Sequence, residues 1–255
     1  MASMPAQQQQ QMLPLFYKSV APLSWQIHPD WGFQSPDSLS FAATTHAIPL
    51  TVDEFSMAQR HYPVIFGSGF AAAPLALVGL AEGRNLFIDH EGTWQAGSYI
   101  PAYVRRYPYL LAKLNPDAED LSLCIDDASG FFGPSQGEPL FDGQEPTAAT
   151  KAALDFCAQF EEAVNRTRVF MDDLEKSELL IEGEVTIQLT GREQPAQYRG
   201  FRMIDENKLR EVRGDQLRKW SQSGMLGILY AHLFSLPLIR DLYEKQEAGV
   251  ADLLA

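Results

Sequence analysis

The stretch YIPAYVRRYPYLLAKL, residues 99–114, sets four tyrosines around two adjacent arginines. Guanidinium groups take carboxylates or phosphates in a two-pronged grip, and Tyr and Arg are residue types that anchor interfaces. Pro101 suits the first turn of a short helix and Pro108 ends it, which predicts Tyr99, Tyr103 and Tyr107, four apart, on one helical face. Such an aromatic stripe is usually core. Arg105 and Arg106 point about 100° apart and cannot both share that face, leaving one for a carboxylate, a phosphate or the acidic middle of the chain, unless both are used in internal ion pairs.

Other chemistry is sparser. Gly67 and Gly69 follow the β-prone PVIF, Ala72 takes the third position of G-x-G-x-x-G/A, and Asp89 lies about 20 residues on, the order of a dinucleotide-binding fingerprint. Pro74 would then interrupt the crossover helix, no train of βαβ units follows, and a glycine-rich turn between strands is the competing reading. His28 and Asp30 form an H-x-D tripeptide that fits part of a metal triad, but the five histidines show no H-x-x-x-H spacing and two cysteines cannot build a structural zinc site. No metal or cofactor is expected. Asp126 and Asp127 close the apolar LSLCI, where paired carboxylates suit acid–base work and, more simply, end a strand. There is no nucleophile elbow and no P-loop.

The elements that would hold these residues read as α+β. Up to about residue 126, short β-prone segments (PLSWQI, FAATTHAIPL, PVIF, LALVGL, NLFID, LSLCID) alternate with Gly and Pro and predict a mostly antiparallel sheet with short helices. Thr51 and Glu54 have the spacing of a capping box, opening a helical turn to Arg60. Residues 127–146 hold four Gly and three Pro and read as a long loop, linker or lid. Ala153, Cys157, Phe160, Val164, Thr167, Met171 and Leu174 then recur at helical spacing on one face of a long amphipathic helix. A hairpin follows, EVTIQL (with Val185, Ile187 and Leu189 alternating) to QYRGFRMI across TGREQPA, and the remainder is helical, with Asp205 and Asp215 as candidate N-caps. Residues 1–14, with glutamines at 7–11, are expected to be a disordered terminus, and 15–250 a single domain with a possible subdivision at 127–146.

Charge excludes one class of partner. The chain has 255 residues and a net charge of -13, and residues 111–188 alone carry 17 acidic against 5 basic side chains. Nucleic acid, which needs clustered cations, is not an expected partner. The opening residues lack a basic segment followed by an apolar one, so the expected compartment is the cytoplasm. VIFGSGFAAAPLALVGL and MLGILYAHLFSLPLI are short of a membrane span and broken by Pro, and no membrane insertion is expected. Cys124 and Cys157 sit in apolar settings and predict no disulfide.

The succession HYPVIF, NLFIDHEGTW, YIPAYVRRYP, LCIDDAS, GEPLF, GFRMIDENKL and GMLGILYAHLFSL resembles the SapC family of bacterial proteins over roughly residues 15–245. The resemblance implies an accessory role in envelope or nutrient-uptake systems, because relatives are associated with surface-layer genes and are encoded beside TonB-dependent receptors, tryptophan-halogenase-like and cupin-like proteins. It supplies no catalytic residues. The positions within the matching motifs that are candidates for function are His61, Trp94, Tyr99, Arg105, Arg106, Tyr107, Asp126 and Asp205; the expected binding residues are Tyr99, Tyr103, Arg105, Arg106, Tyr107, Trp94, His61 and Asp126. The leading expectation is a non-enzymatic protein that recognises a peptide or protein partner through the Tyr–Arg segment and the 127–146 loop. The alternative is an enzyme with His61, Arg105 and Asp126 in one cleft.

Overall fold

A computed structural model describes residues 13–68, 73–115, 120–187 and 196–254 of the chain. The fold is α+β, and the chain divides into two compact units, Met1–Ser35 with Tyr107–Cys157, and Pro36–Arg106 with Ala158–Ala255.

In the first unit Ser122–Ile125 lies between Ala21–Pro22 and Tyr109–Ala112, antiparallel to both. A second small sheet sets Trp31–Phe33 between Phe132–Pro134 and Glu138–Pro139. Trp31–Phe33 lies outside every β-prone segment noted above. The 127–146 segment is not the featureless loop its composition suggests. Besides the two strands that flank Trp31–Phe33, it forms a ribbon, Phe141–Asp142 with Glu145–Pro146, turning on Gly143 at a φ of 62° that a side chain would resist. Gly32 is needed in the middle strand because a Cβ there would stand 1.9 Å from the Gln136 carbonyl oxygen. Tyr109, Ile125, Phe132, Leu140 and Cys157 form the core of this unit, and no disulfide joins Cys124 and Cys157, both buried thiols.

The second unit is built on a five-stranded antiparallel sheet, in the order Leu180–Ile187, Ala196–Ile204, Val64–Phe66, Pro74–Leu77, Ala47–Pro49. The hairpin expected at EVTIQL and QYRGFRMI is the first pair, with its connection, including Leu189, outside the described residues. Val64–Phe66 pairs antiparallel with Pro74–Leu77, which is not the parallel pairing that a crossover helix after Gly67 would join. Gly69 and Ala72 of the fingerprint lie outside the described residues. NLFID forms no strand and contributes only an isolated bridge between Ile88 and Trp94.

The long helix, Ala148–Lys176, runs from the first unit into the second. Its buried side chains include Cys157, Phe160, Thr167, Met171 and Leu174, as the spacing predicts, while Val164 is 38% exposed and falls off the stripe. Thr51 and Glu54 complete a capping box ahead of a 3-10 turn, Val52–Glu54, and the short helix Phe55–Ala58. Asp205 caps Glu206–Arg210 by accepting from the amides of Asn207 and Lys208. Asp215 is no cap; it lies in the first turn of Gly214–Ser223, whose N-cap is Arg213. The apolar end is two helices, Met225–Ser235 and Leu238–Leu254, because Pro237 lacks the amide that would carry the first one on. The stretch Met225–Ala248 has the length and the mean hydropathy, 1.3, of a candidate membrane span, and it also packs Leu229, Ile239 and Leu242 into the core of this unit.

His232 shows how that packing is specified. It is fully buried on Met225–Ser235, 4.8 Å from the Phe66 ring, and its Nε2 lies 3.1 Å from the Ile204 amide, which can only donate. Nε2 therefore accepts, the proton sits on Nδ1, and Nδ1 donates to the Val64 carbonyl at 2.7 Å. Burial holds this imidazole down to about 4.

Candidate functional site

The helix of the Tyr–Arg segment is only Ala102–Arg106, too short to carry the predicted tyrosine stripe. Tyr99 precedes it, Tyr107 follows it, and the three tyrosines have separate surroundings. Tyr103 packs its ring edge-on to Phe160, 6.2 Å away. Tyr107, in the first unit, donates to Asp126 Oδ2 at 3.0 Å, and its phenol is raised far above the ordinary range by burial and then by that carboxylate.

The adjacent arginines do different work. Arg106 is 7% exposed, with Nη1 3.1 Å from Glu161 Oε1 and its guanidinium 4.9 Å from the Tyr103 ring centre and 4.3 Å from that of Phe160. Burial raises the Glu161 carboxyl, and the Arg106 charge partly offsets it. Arg106 is thus an interior ion pair rather than a surface for a partner. Arg105 is exposed, donates through Nε to the Ile100 carbonyl at 3.0 Å and through Nη2 to the Tyr99 hydroxyl at 3.2 Å, and covers the Tyr99 ring.

Two residues that no binding motif contains, Glu54 and Tyr62, organise this region. Glu54, buried, accepts at one oxygen from the Thr51 amide and hydroxyl and at the other from the Tyr99 hydroxyl at 3.0 Å and the Ala102 amide at 2.7 Å. Burial first and the Glu54 charge second push the Tyr99 phenol up to about 12. Tyr62 donates to the Tyr99 carbonyl and accepts from Trp94 Nε1 at 3.1 Å, so Trp94 is a buried strut. Thr51 and Glu54 announced a cap; their second role depends on Tyr99 arriving from 45 residues away, which no local spacing reveals.

Asp126 has a comparable post in the first unit. It is 0% exposed and takes the amides of Lys18, Ser19 and Ala128 and the Tyr107 hydroxyl, two donors to each oxygen. Asp127 is exposed. His28 is buried, with Nδ1 accepting from the Ser24 amide at 3.4 Å, and among the described residues no cluster of His, Cys, Asp or Glu has the form of a metal site.

His61 lines a cleft of about 250 Å³ in the second unit, together with Arg60, Phe87, Gln95, Ser98, Leu238, Asp241, Leu242 and Lys245. Neither Arg105 nor Asp126 lines it. The Lys245 ammonium lies 3.9 Å from the centre of the Phe87 ring and donates to Gln95 Oε1. A cation over an aromatic face is held by the ring quadrupole, and burial meanwhile lowers the Lys245 pKa. Behind the wall, Phe87 packs edge-on to Tyr62 at 4.6 Å, tying the cleft to the Trp94–Tyr62–Tyr99 network, and Ser98 on the rim is the chain neighbour of Tyr99. The charged residues that line the cleft are Arg60, Lys245 and Asp241, an excess of one positive charge in a protein of net charge -13. Such a site can hold an anionic group against an apolar wall.

No curated protein and no solved structure matches the chain. The model of one family, SapC, matches residues 23–242, most of the sequence. The chain belongs to the SapC family.

Proposed function

We propose that the protein is a non-enzymatic accessory protein that recognises a carboxylate-bearing peptide or protein partner, in the bacterial envelope or nutrient-uptake setting that the family resemblance implies. The observation that carries this reading is the cleft in which Lys245 rests on Phe87 beside Arg60 and His61. A carboxylate entering there would replace the neutral Gln95 amide as the partner of Lys245 and gain a charge-assisted contact. Arg105 on Tyr99, exposed and joined to the cleft wall through Tyr62 and Phe87, extends the same chemistry outward. The buried residues of the Tyr–Arg segment, Tyr103, Arg106 and Tyr107, serve as support.

The test is affinity capture from the native host with wild type, Lys245→Glu and Arg105→Ala, each verified as folded by circular dichroism, followed by direct titration of the captured partner. Loss of one specific partner with Lys245→Glu and weakening with Arg105→Ala are expected. A partner held equally by all three proteins, or none held by wild type, would overturn the reading.

A further inference from the structure

A second groove in this unit is walled by the long helix and by the helix Gly214–Ser223. Two cavities of about 510 and 640 Å³, each in the range of small-ligand sites, share Asp173, Gln216, Lys219 and Trp220 as common walls. The first is lined by the apolar Phe170, Trp220, Met225 and Ile228, and it includes Val169, which is 58% exposed. The charges around the two cavities nearly cancel in pairs. Arg166 grips Asp53 at 2.6 Å, Arg213 stands 3.3 Å from Asp215, and Lys176 stands 3.9 Å from Asp173. Among the described residues, Lys219, which lines both cavities, is the cation of this set without an ion pair.

We propose that this groove binds an aliphatic carboxylate, its chain laid along Val169, Phe170 and Met225 and its carboxylate on Lys219. Apolar area removed from water supplies the attraction, and the unpaired ammonium at one end sets the polarity and orientation of the ligand. Trp220 is the buried anchor of helix Gly214–Ser223, so the wall that carries Lys219 is fixed by a residue that also touches the bound chain.

The experiment is calorimetric titration of the full chain with decanoate below its micellar range, with decan-1-ol as an uncharged ligand of equal length. Wild type should take up decanoate saturably at one site, and the alcohol about tenfold more weakly for want of the charge-assisted contact. Val169→Asp, at an exposed position, should abolish uptake; Lys219→Gln should reduce acid binding to the level of the alcohol; Lys151→Gln, an exposed lysine that lines neither site, should change nothing. No saturable uptake, equal affinity for acid and alcohol, indifference to Lys219→Gln, or loss with Lys151→Gln would each overturn the assignment.

Discussion

Asp126 in the first unit and Glu54 in the second are buried carboxylates with the same solution, two donors on each oxygen and one tyrosine among the four. Lys245 in the cleft is the opposite case, a cation balanced by an aromatic face and a neutral amide. The carboxylates have no capacity left for a ligand, whereas the lysine would gain from a real counter-ion. Saturation thus marks Asp126 and Glu54 as residues that hold the fold, and its absence at Lys245 is what the proposed binding rests on, although all three are charged and partly or wholly enclosed.

The contrast is broken most severely at Asp126. Asp126→Asn turns two of its acceptor positions into donors facing donors and should cost about 4 kcal/mol in urea unfolding. Glu54→Gln should cost about 2 kcal/mol, since half of the donors to Glu54 belong to Thr51 in the same cap. Equal losses would mean that the long-range donors to Asp126 add nothing.

His232 tests the interior by pH. Unfolded, its imidazole takes up a proton near 6.5; folded, only near 4. Acid therefore favours the unfolded chain, and stability fully present above pH 6.5 is lost as pH falls towards 4, by about 3 kcal/mol. His232→Gln, which keeps an acceptor for Ile204 and a donor for Val64, should flatten that limb relative to wild type in urea titrations at pH 7, 5.5 and 4.

The adjacent arginines give a smaller and sharper contrast. Arg106→Ala strands Glu161 and should cost about 2 kcal/mol, while Arg105→Ala should stay within about 0.5 kcal/mol, both read from thermal unfolding. Lys245→Ala should likewise stay within about 0.5 kcal/mol by the same measurement, because its ammonium is held only by a ring face and a neutral amide.

The α+β class, the long helix, the Thr51–Glu54 cap and the second-unit hairpin are written in local patterns, and they were legible. The tyrosine stripe failed because five helical residues cannot carry positions eight apart. NLFID reads as strand by composition, yet its Phe87 is fixed by Tyr62 and Lys245, contacts with no sequence period. The cleft gathers His61, Phe87 and Lys245 from three distant segments, and of these only His61 had drawn notice. The 127–146 segment looked unstructured because two- and three-residue strands leave no alternation to count.

The first unit is discontinuous, and its two parts meet at Asp126, whose carboxylate takes the amide of Lys18 from 108 residues earlier. At ordinary rates of synthesis those residues take roughly 5–20 s to emerge from the ribosome. Through that interval the Lys18 and Ser19 amides and the first strand have no partner, while Pro36–Arg106 of the other unit has already been made. Translation order therefore sets an assembly order, in which the amino-terminal segment is made first and seated late.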